Sequence, residues 1–342
     1  MTLRLGIIGV GTMGSDHARR IAETINGATL AGVSDLIPER AQAIHDKFGA
    51  KIYEDGLDLV RDPQIDAVVV ATAPHETHEQ FVLEAIKLGK YVLSEKPLTT
   101  SAAGCRKIVD AEIAAGKRLV QVGFMRRYDK GYQEIRKAIV SGELGEPLLI
   151  HCAHRNMTTP PVYNSDMSIV ETAIHEVDVL HYLLGENYES ALTFLPKKQT
   201  RYTHEGLHDP QIVELDTESG VHIDLEVFVN NQMGYDINCR VVFEKGEIAL
   251  HAPQNTIVKV AESERERIPA EYTERFRQAY DTEFQAFVDG VANDALTGPT
   301  AWDGLVACVT CDALFASRDE GGVRKQVELP ETPQFYIDNH MD

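Results

Sequence analysis

Positive charge is scarce in this sequence: 33 Lys and Arg stand against 53 Asp and Glu, a formal net charge of −20 at pH 7. A surface that acidic repels phosphate backbones and anionic leaflets, which argues against nucleic-acid and membrane partners. Long apolar runs are missing too. The longest, around Ala67–Ala73, falls far short of the roughly 20 residues that span a bilayer. No cleavage motif follows the strand-like N-terminal segment, so no secretory leader is expected. The cysteines (Cys105, Cys152, Cys239, Cys308 and Cys311) are odd in number and scattered, which points to a reduced, cytoplasmic protein rather than a disulfide framework. What is present is ordinary for a folded chain: 43% hydrophobic and 25% charged residues, and 342 residues in all, enough for two domains or one large α/β unit.

The first 122 residues alternate between short apolar runs and helical patterns. Runs at Leu3–Val10, Thr29–Ser34, Ala67–Ala71, Tyr91–Leu93 and Leu119–Val122 are rich in Val, Ile and Leu, as parallel strands buried on both faces require. Between them lie Met13–Ile25, Glu39–Phe48, Thr77–Leu88 and Ala102–Ala115, with Gly27, Gly49 and Gly89 as C-terminal stops. Strand alternating with helix predicts a doubly wound parallel sheet. The second half changes period. Ile223, Leu225, Val227 and Val229 alternate with more polar neighbours, a pattern broken only at Phe228, and predict a sheet with one covered face. Tyr235–Phe243 and Glu247–His251 flank a turn at Glu244–Gly246, and Gln211–Asp216 and Thr256–Val260 add further strands. Helices are expected over Ser168–Leu184, Glu274–Val291 and Trp302–Ser317. The expected fold is thus α/β in two domains, a doubly wound parallel sheet over residues 1–122 and an α+β domain over 123–342.

Three groups of residues carry chemistry. Gly9-Val10-Gly11-Thr12-Met13-Gly14 joins the first strand to the first helix as G-x-G-x-x-G. The first glycine permits the turn, the second lets a pyrophosphate reach the backbone, and the third lets helix pack on strand. Asp35 ends the next strand, where a carboxylate binds both ribose hydroxyls; this favours NAD, although Arg40 nearby leaves NADP use open. Ser94-Glu95-Lys96-Pro97 follows another strand, and so places Lys96 where ligands of such sheets bind. Last, Glu171, His175 and Asp178 fall at i, i+4 and i+7 of a helix, where a carboxylate one turn before a histidine suits proton transfer.

Other patterns read as structure. His175-Glu176 is followed by His181, so the zinc pattern H-E-x-x-H fails. His75 and His78 are expected at a helix start rather than on a metal. Cys308 and Cys311, in an apolar helical segment with no second pair, are expected to pack in the core. Nothing in the sequence requires a metal.

Together these motifs resemble the Gfo/Idh/MocA oxidoreductase family over nearly the whole chain. Finer strings are similar to the inositol dehydrogenases of that family: Gly123–Asp129, Ala153–Asn156, His175–His181, Asp209–Val213, Gly234–Ile237 and Gly298–Gly304. The resemblance implies a Rossmann domain followed by a domain with an open, mainly antiparallel sheet that supports homotetramers. It implies Lys96, His175 and Glu171 as the catalytic group, with glutamate standing where the family usually has aspartate. Arg126, His154, Asp178, Tyr235 and Tyr280 match its polyol-lining positions, and the cofactor contacts extend to Thr12, Met13, Ala73, Glu95 and Lys96. The implied activity is NAD-dependent oxidation of myo-inositol to 2-keto-myo-inositol. Dehydrogenation of scyllo-inositol, another isomer or an aldose such as glucose remains open, as do a non-catalytic NAD-binding regulator and a lyase or glycosidase that uses NAD transiently.

Overall fold

The computed structural model describes residues 2–251 and 257–339. Thr256, where one strand was expected to begin, lies outside the described residues. By packing, the chain forms two units. One runs to Phe124 and takes in Tyr280–Cys308 and the stretch from Pro330; the other is Met125–Ala279 with Val309–Leu329.

In the first unit, the chain runs β1 (Leu3–Ile8), α1 (Thr12–Glu23), β2 (Ala28–Ser34), α2 (Pro38–Phe48), β3 (Lys51–Ile52), α3 (Gly56–Arg61), β4 (Ala67–Val70), α4 (His78–Lys87), β5 (Tyr91–Glu95), α5 (Ala102–Ala115) and β6 (Val120–Gly123). All strands pair in parallel in the order β3-β2-β1-β4-β5-β6, the doubly wound sheet that the alternation predicts. β4 and β5 are buried along their whole length, as strands covered on both faces must be. Local signals set the helix ends. Ser101 caps α5 by accepting from Gly104 N (3.1 Å), and Gly49 closes α2 in the left-handed region.

The first unit also recruits later sequence, so its bounds differ from a single cut near residue 122. Val122 N donates to Pro299 O (2.9 Å), and Arg118 donates to Gly298 O (2.6 Å). A short helix, Gln334–Asp338, brings Tyr336 to the buried Glu112, whose Oε2 accepts from the phenol (2.6 Å). The other Glu112 oxygen accepts from Leu119 N and Val120 N, joining α5 to the start of β6. Cys308 and Cys311 are buried free thiols, as expected of packing cysteines, and Cys105 is likewise buried and free.

The second unit holds α6 (Lys130–Ser141), β7 (Pro147–Arg155), α7 (Ile174–Leu184), β8 (Tyr188–Phe194), β9 (Gln211–Thr217), β10 (His222–Phe228), β11 (Asp236–Phe243) and β12 (Gly246–Ala249). Its sheet runs β12-β11-β7-β10-β9-β8, with the two-residue strand Lys325–Gln326 beyond β8. Pairing is antiparallel except between β7 and β10. Burial alternates strictly along β9 and β10, as the period-two pattern requires. The helix expected over Glu274–Val291 is broken at Phe276 into Tyr272–Arg275 and Arg277–Ala292.

Candidate active site

The Gly9–Gly14 turn is built around contacts that no side chain permits. Gly9 has φ +83°, and a Cβ there would sit 2.5 Å from Ala71 O. A Cβ on Gly14 would sit 1.8 Å from Gly9 O, backbone against backbone. Gly11 is different: its φ is −66°, and a Cβ would meet only the Arg40 guanidinium at 3.7 Å. No side chain caps α1, so the N–H groups of its first turn, which include Thr12 and Met13, are available to an anion. Asp35 lies beside this turn. One of its oxygens accepts from Val10 N (2.7 Å), the other from Ile37 N (2.8 Å), and Arg40 Nη1 stands 4.0 Å away. Each oxygen keeps a further lone pair for a ribose hydroxyl. This cradle fits a dinucleotide.

The carboxyl ends of β4 and β5 carry two loops with cis X-Pro bonds, Ala73-Pro74 and Lys96-Pro97. Ahead of Lys96, both Glu95 oxygens are engaged. Oε1 meets His17 Nε2 at 2.6 Å, and Oε2 accepts from Lys96 N at 3.2 Å. Arg20 Nη1 lies 2.7 Å from His17 Nδ1. A guanidinium only donates, so Nδ1 accepts and the imidazole proton resides on Nε2, directed at Glu95. Burial alone would raise the Glu95 carboxyl, but the hydrogen bond from His17, with the charge and backbone N–H of Lys96, holds it below the usual carboxylate range. Arg20 is itself fixed by Asp16 and Asp281, and lies 5.1 Å from the centre of the Tyr280 ring. Tyr280, expected on a polyol surface, therefore packs in the first unit with Arg20 and His17.

In the second unit, four of the expected polyol residues gather around His175. Arg126 is buried and binds Glu176 through Nη1, while its Nη2 lies 3.0 Å from His154 Nδ1. The same His154 nitrogen lies 2.9 Å from Glu176 Oε2. The His154 ring stands 6.0 Å from His175 and meets Tyr235 edge-on at 5.7 Å. Asp178, also buried, is gripped by Arg127 through two bonds of 2.5 and 3.1 Å. Burial would raise the Glu176 carboxyl; the Arg126 and His154 charges overcome this and hold it below its usual range.

The helix bearing His175 departs from the expected regular pattern. Ser168–Ala173 forms a π-helical turn and α7 begins only at Ile174, whose N–H reaches back five residues to Ile169 O. The buried Tyr163 supplies a cause. Its hydroxyl donates to Met167 O (2.8 Å), the carbonyl that a regular α-helix would use for the N–H of Glu171. Glu171 thus sits on a widened turn just ahead of the α-helix that carries His175. Sequence reasoning missed Glu176, Arg127, His17 and Arg20 as parts of the site. Glu176 and Arg127 adjoin named residues; the pairing of His17 and Arg20 with Glu95, far along the chain, left no local signal.

Comparison with known proteins agrees with this architecture. Residues 3–124 match the Gfo/Idh/MocA oxidoreductase-family model for the NAD-binding Rossmann fold, and residues 136–329 match the family's C-terminal α/β domain. The inositol 2-dehydrogenase of Burkholderia cenocepacia is 49% identical over 338 residues, 98% of this chain and 99% of that protein. That of Ralstonia nicotianae is 48% identical over the same share of this chain and 99% of its own length. The crystal structure of a myo-inositol dehydrogenase from Lactobacillus casei, in complex with NAD(H) and myo-inositol, superposes with a TM-score of 0.94 at 37% identity; the match covers 98% of this chain and all of that one. The chain is an NAD-binding oxidoreductase and belongs to the Gfo/Idh/MocA family.

Proposed function

We propose that the protein oxidises a ring hydroxyl of myo-inositol to 2-keto-myo-inositol. The observation that carries this reading is the near full-length similarity to inositol 2-dehydrogenases, at 49% identity. When bound, NAD supplies the hydride acceptor. Gly9, Gly11, Gly14 and the first turn of α1, with Thr12 and Met13, would hold its phosphates, and Asp35 its ribose. Ala73 and Glu95, at the carboxyl ends of β4 and β5, would lie along it.

A secondary alcohol keeps its proton near neutral pH, so hydride departure requires a base within hydrogen-bond reach. His175 takes that role, and Glu171 holds the charge of the imidazolium that forms. Lys96 donates to the reacting oxygen and stabilises its developing negative charge. Arg126, His154, Asp178, Tyr235 and Tyr280 orient the remaining hydroxyls. Their prior engagement supports this, because groups already fixed by Glu176, Arg127 or Arg20 lose little freedom on meeting a polyol. The protein works as a homotetramer, and its five buried free thiols suit a reducing cytoplasm.

Lys96→Met tests the assignment. Turnover of NAD with myo-inositol should vanish while NADH binding persists; a variant that keeps turnover within a few-fold of wild type would remove Lys96 from the mechanism.

A further inference from the structure

The first helical residue of α4 is a histidine with no solvent exposure, set between the two loops at the carboxyl ends of β4 and β5. His78 Nε2 lies 2.9 Å from Thr72 O in the first loop, and Nδ1 lies 3.0 Å from Pro97 O in the second. One imidazole therefore spans the loop that carries Ala73 and the loop that carries Lys96. The first loop has ties of its own: Thr77 Oγ1 donates to Pro74 O (2.7 Å) and lies 2.6 Å from Thr72 Oγ1. With that loop held to the start of α4, the Nδ1 contact fixes the second loop against the first.

We infer that His78 is a positioning residue: through Nδ1–H to the Pro97 carbonyl it sets where the Lys96 side chain begins. The inference rests on the reading of Lys96 as the donor to the reacting oxygen, and it concerns a residue that touches neither cofactor nor substrate. Two backbone carbonyls face the ring, while a neutral imidazole carries one proton, so one loop at a time receives it. Burial, with His75 as the next cause, pushes the His78 pKa down to about 4, so the ring is neutral under ordinary conditions. A misplaced Lys96 should lower the rate of the chemical step more than it weakens the cofactor, whose phosphates would bind at the Gly9–Gly14 turn.

The test uses three variants of the full-length protein. In His78→Asn the amide nitrogen takes the place of Nδ1, in His78→Gln it takes the place of Nε2, and His78→Leu has neither. Thermal melting reports folding and NADH fluorescence reports binding; kcat and KM come from NAD reduction with myo-inositol. Hydrogen exchange is followed in peptides covering residues 70–77 and 94–101. The Gln and Leu variants should lose about ten- to a hundredfold in kcat with NADH affinity kept. Asn should recover most of that loss, and exchange over 94–101 should rise in Gln and Leu but not in Asn. Equal losses in all three variants would overturn the inference, as would recovery by Gln rather than Asn, or NADH affinity falling in step with kcat. If wild type reduced no NAD with any polyol, the proposed function would fail, and the exchange ranking alone would then decide the role of His78.

Discussion

Two single-methyl substitutions in the glycine turn should separate folding from cofactor binding. In Gly14→Ala the new Cβ arrives 1.8 Å from Gly9 O, a distance that must open beyond 3.0 Å, and both sides of the contact are backbone. Overpacking of this kind costs about 1–3 kcal/mol, against which helix propensity returns only about 1 kcal/mol. Because no side chain can swing away, the upper part of the range applies, and a net loss of about 2 kcal/mol should lower the unfolding temperature by several degrees. In Gly11→Ala the backbone needs no left-handed residue, and the nearest atom to the Cβ is 3.7 Å away. The apo protein should therefore melt like wild type. The methyl stands where a pyrophosphate meets the backbone, so NADH affinity should fall tenfold or more, about 1.4 kcal/mol. Melting with and without NADH reads both effects, since a ligand that binds only the folded state raises its stability. Wild-type NADH affinity in Gly11→Ala, or wild-type melting in Gly14→Ala, would refute the reasoning.

Two further outcomes follow from buried charge. Glu176→Gln leaves the Arg126 guanidinium buried without its counter-charge and should cost on the order of 3 kcal/mol, read by urea unfolding; KM for the polyol should rise because Arg126 and His154 lose their anchor. Wild type should also be more acid-sensitive than His78→Asn. The His78 pKa drops from 6.5 in the unfolded chain to about 4 in the fold, so its contribution is present above pH 6.5 and is lost as pH falls toward 4; the full difference, about 3 kcal/mol, appears when the stabilities of the two proteins are compared across that window.

Much of the first unit was legible because its signals are local. Short apolar runs rich in Val, Ile and Leu mark β1, β2, β4, β5 and β6, and the expected bounds of α5, Ala102–Ala115, match the structure. β3, two residues long at the sheet edge, and α3, six residues long, are too short to show a period. β7 was not expected: its burial runs unevenly, and its parallel partner β10 lies some 70 residues away, so no turn marks the pair. The return of Tyr280–Cys308 and Pro330 onward to the first unit depends on contacts such as Tyr336 with Glu112, which spacing along the chain cannot reveal. The same holds at the site. Lys96 and His175 stand in recognisable strings, whereas the Arg20–His17–Glu95 chain and the Arg126–Glu176–His154 cluster are made by the fold. The π turn before His175 arises from Tyr163, a residue that helical periodicity does not register.

The central claim is tested most directly by the initial rate of NADH appearance when the protein is mixed with NAD and myo-inositol at mildly alkaline pH, beside parallel reactions with scyllo-inositol and glucose. A clear rate with myo-inositol that exceeds the other two is expected. A rate confined to scyllo-inositol or glucose would contradict the assigned substrate, and tight NAD binding without turnover of any of the three would contradict the assigned activity.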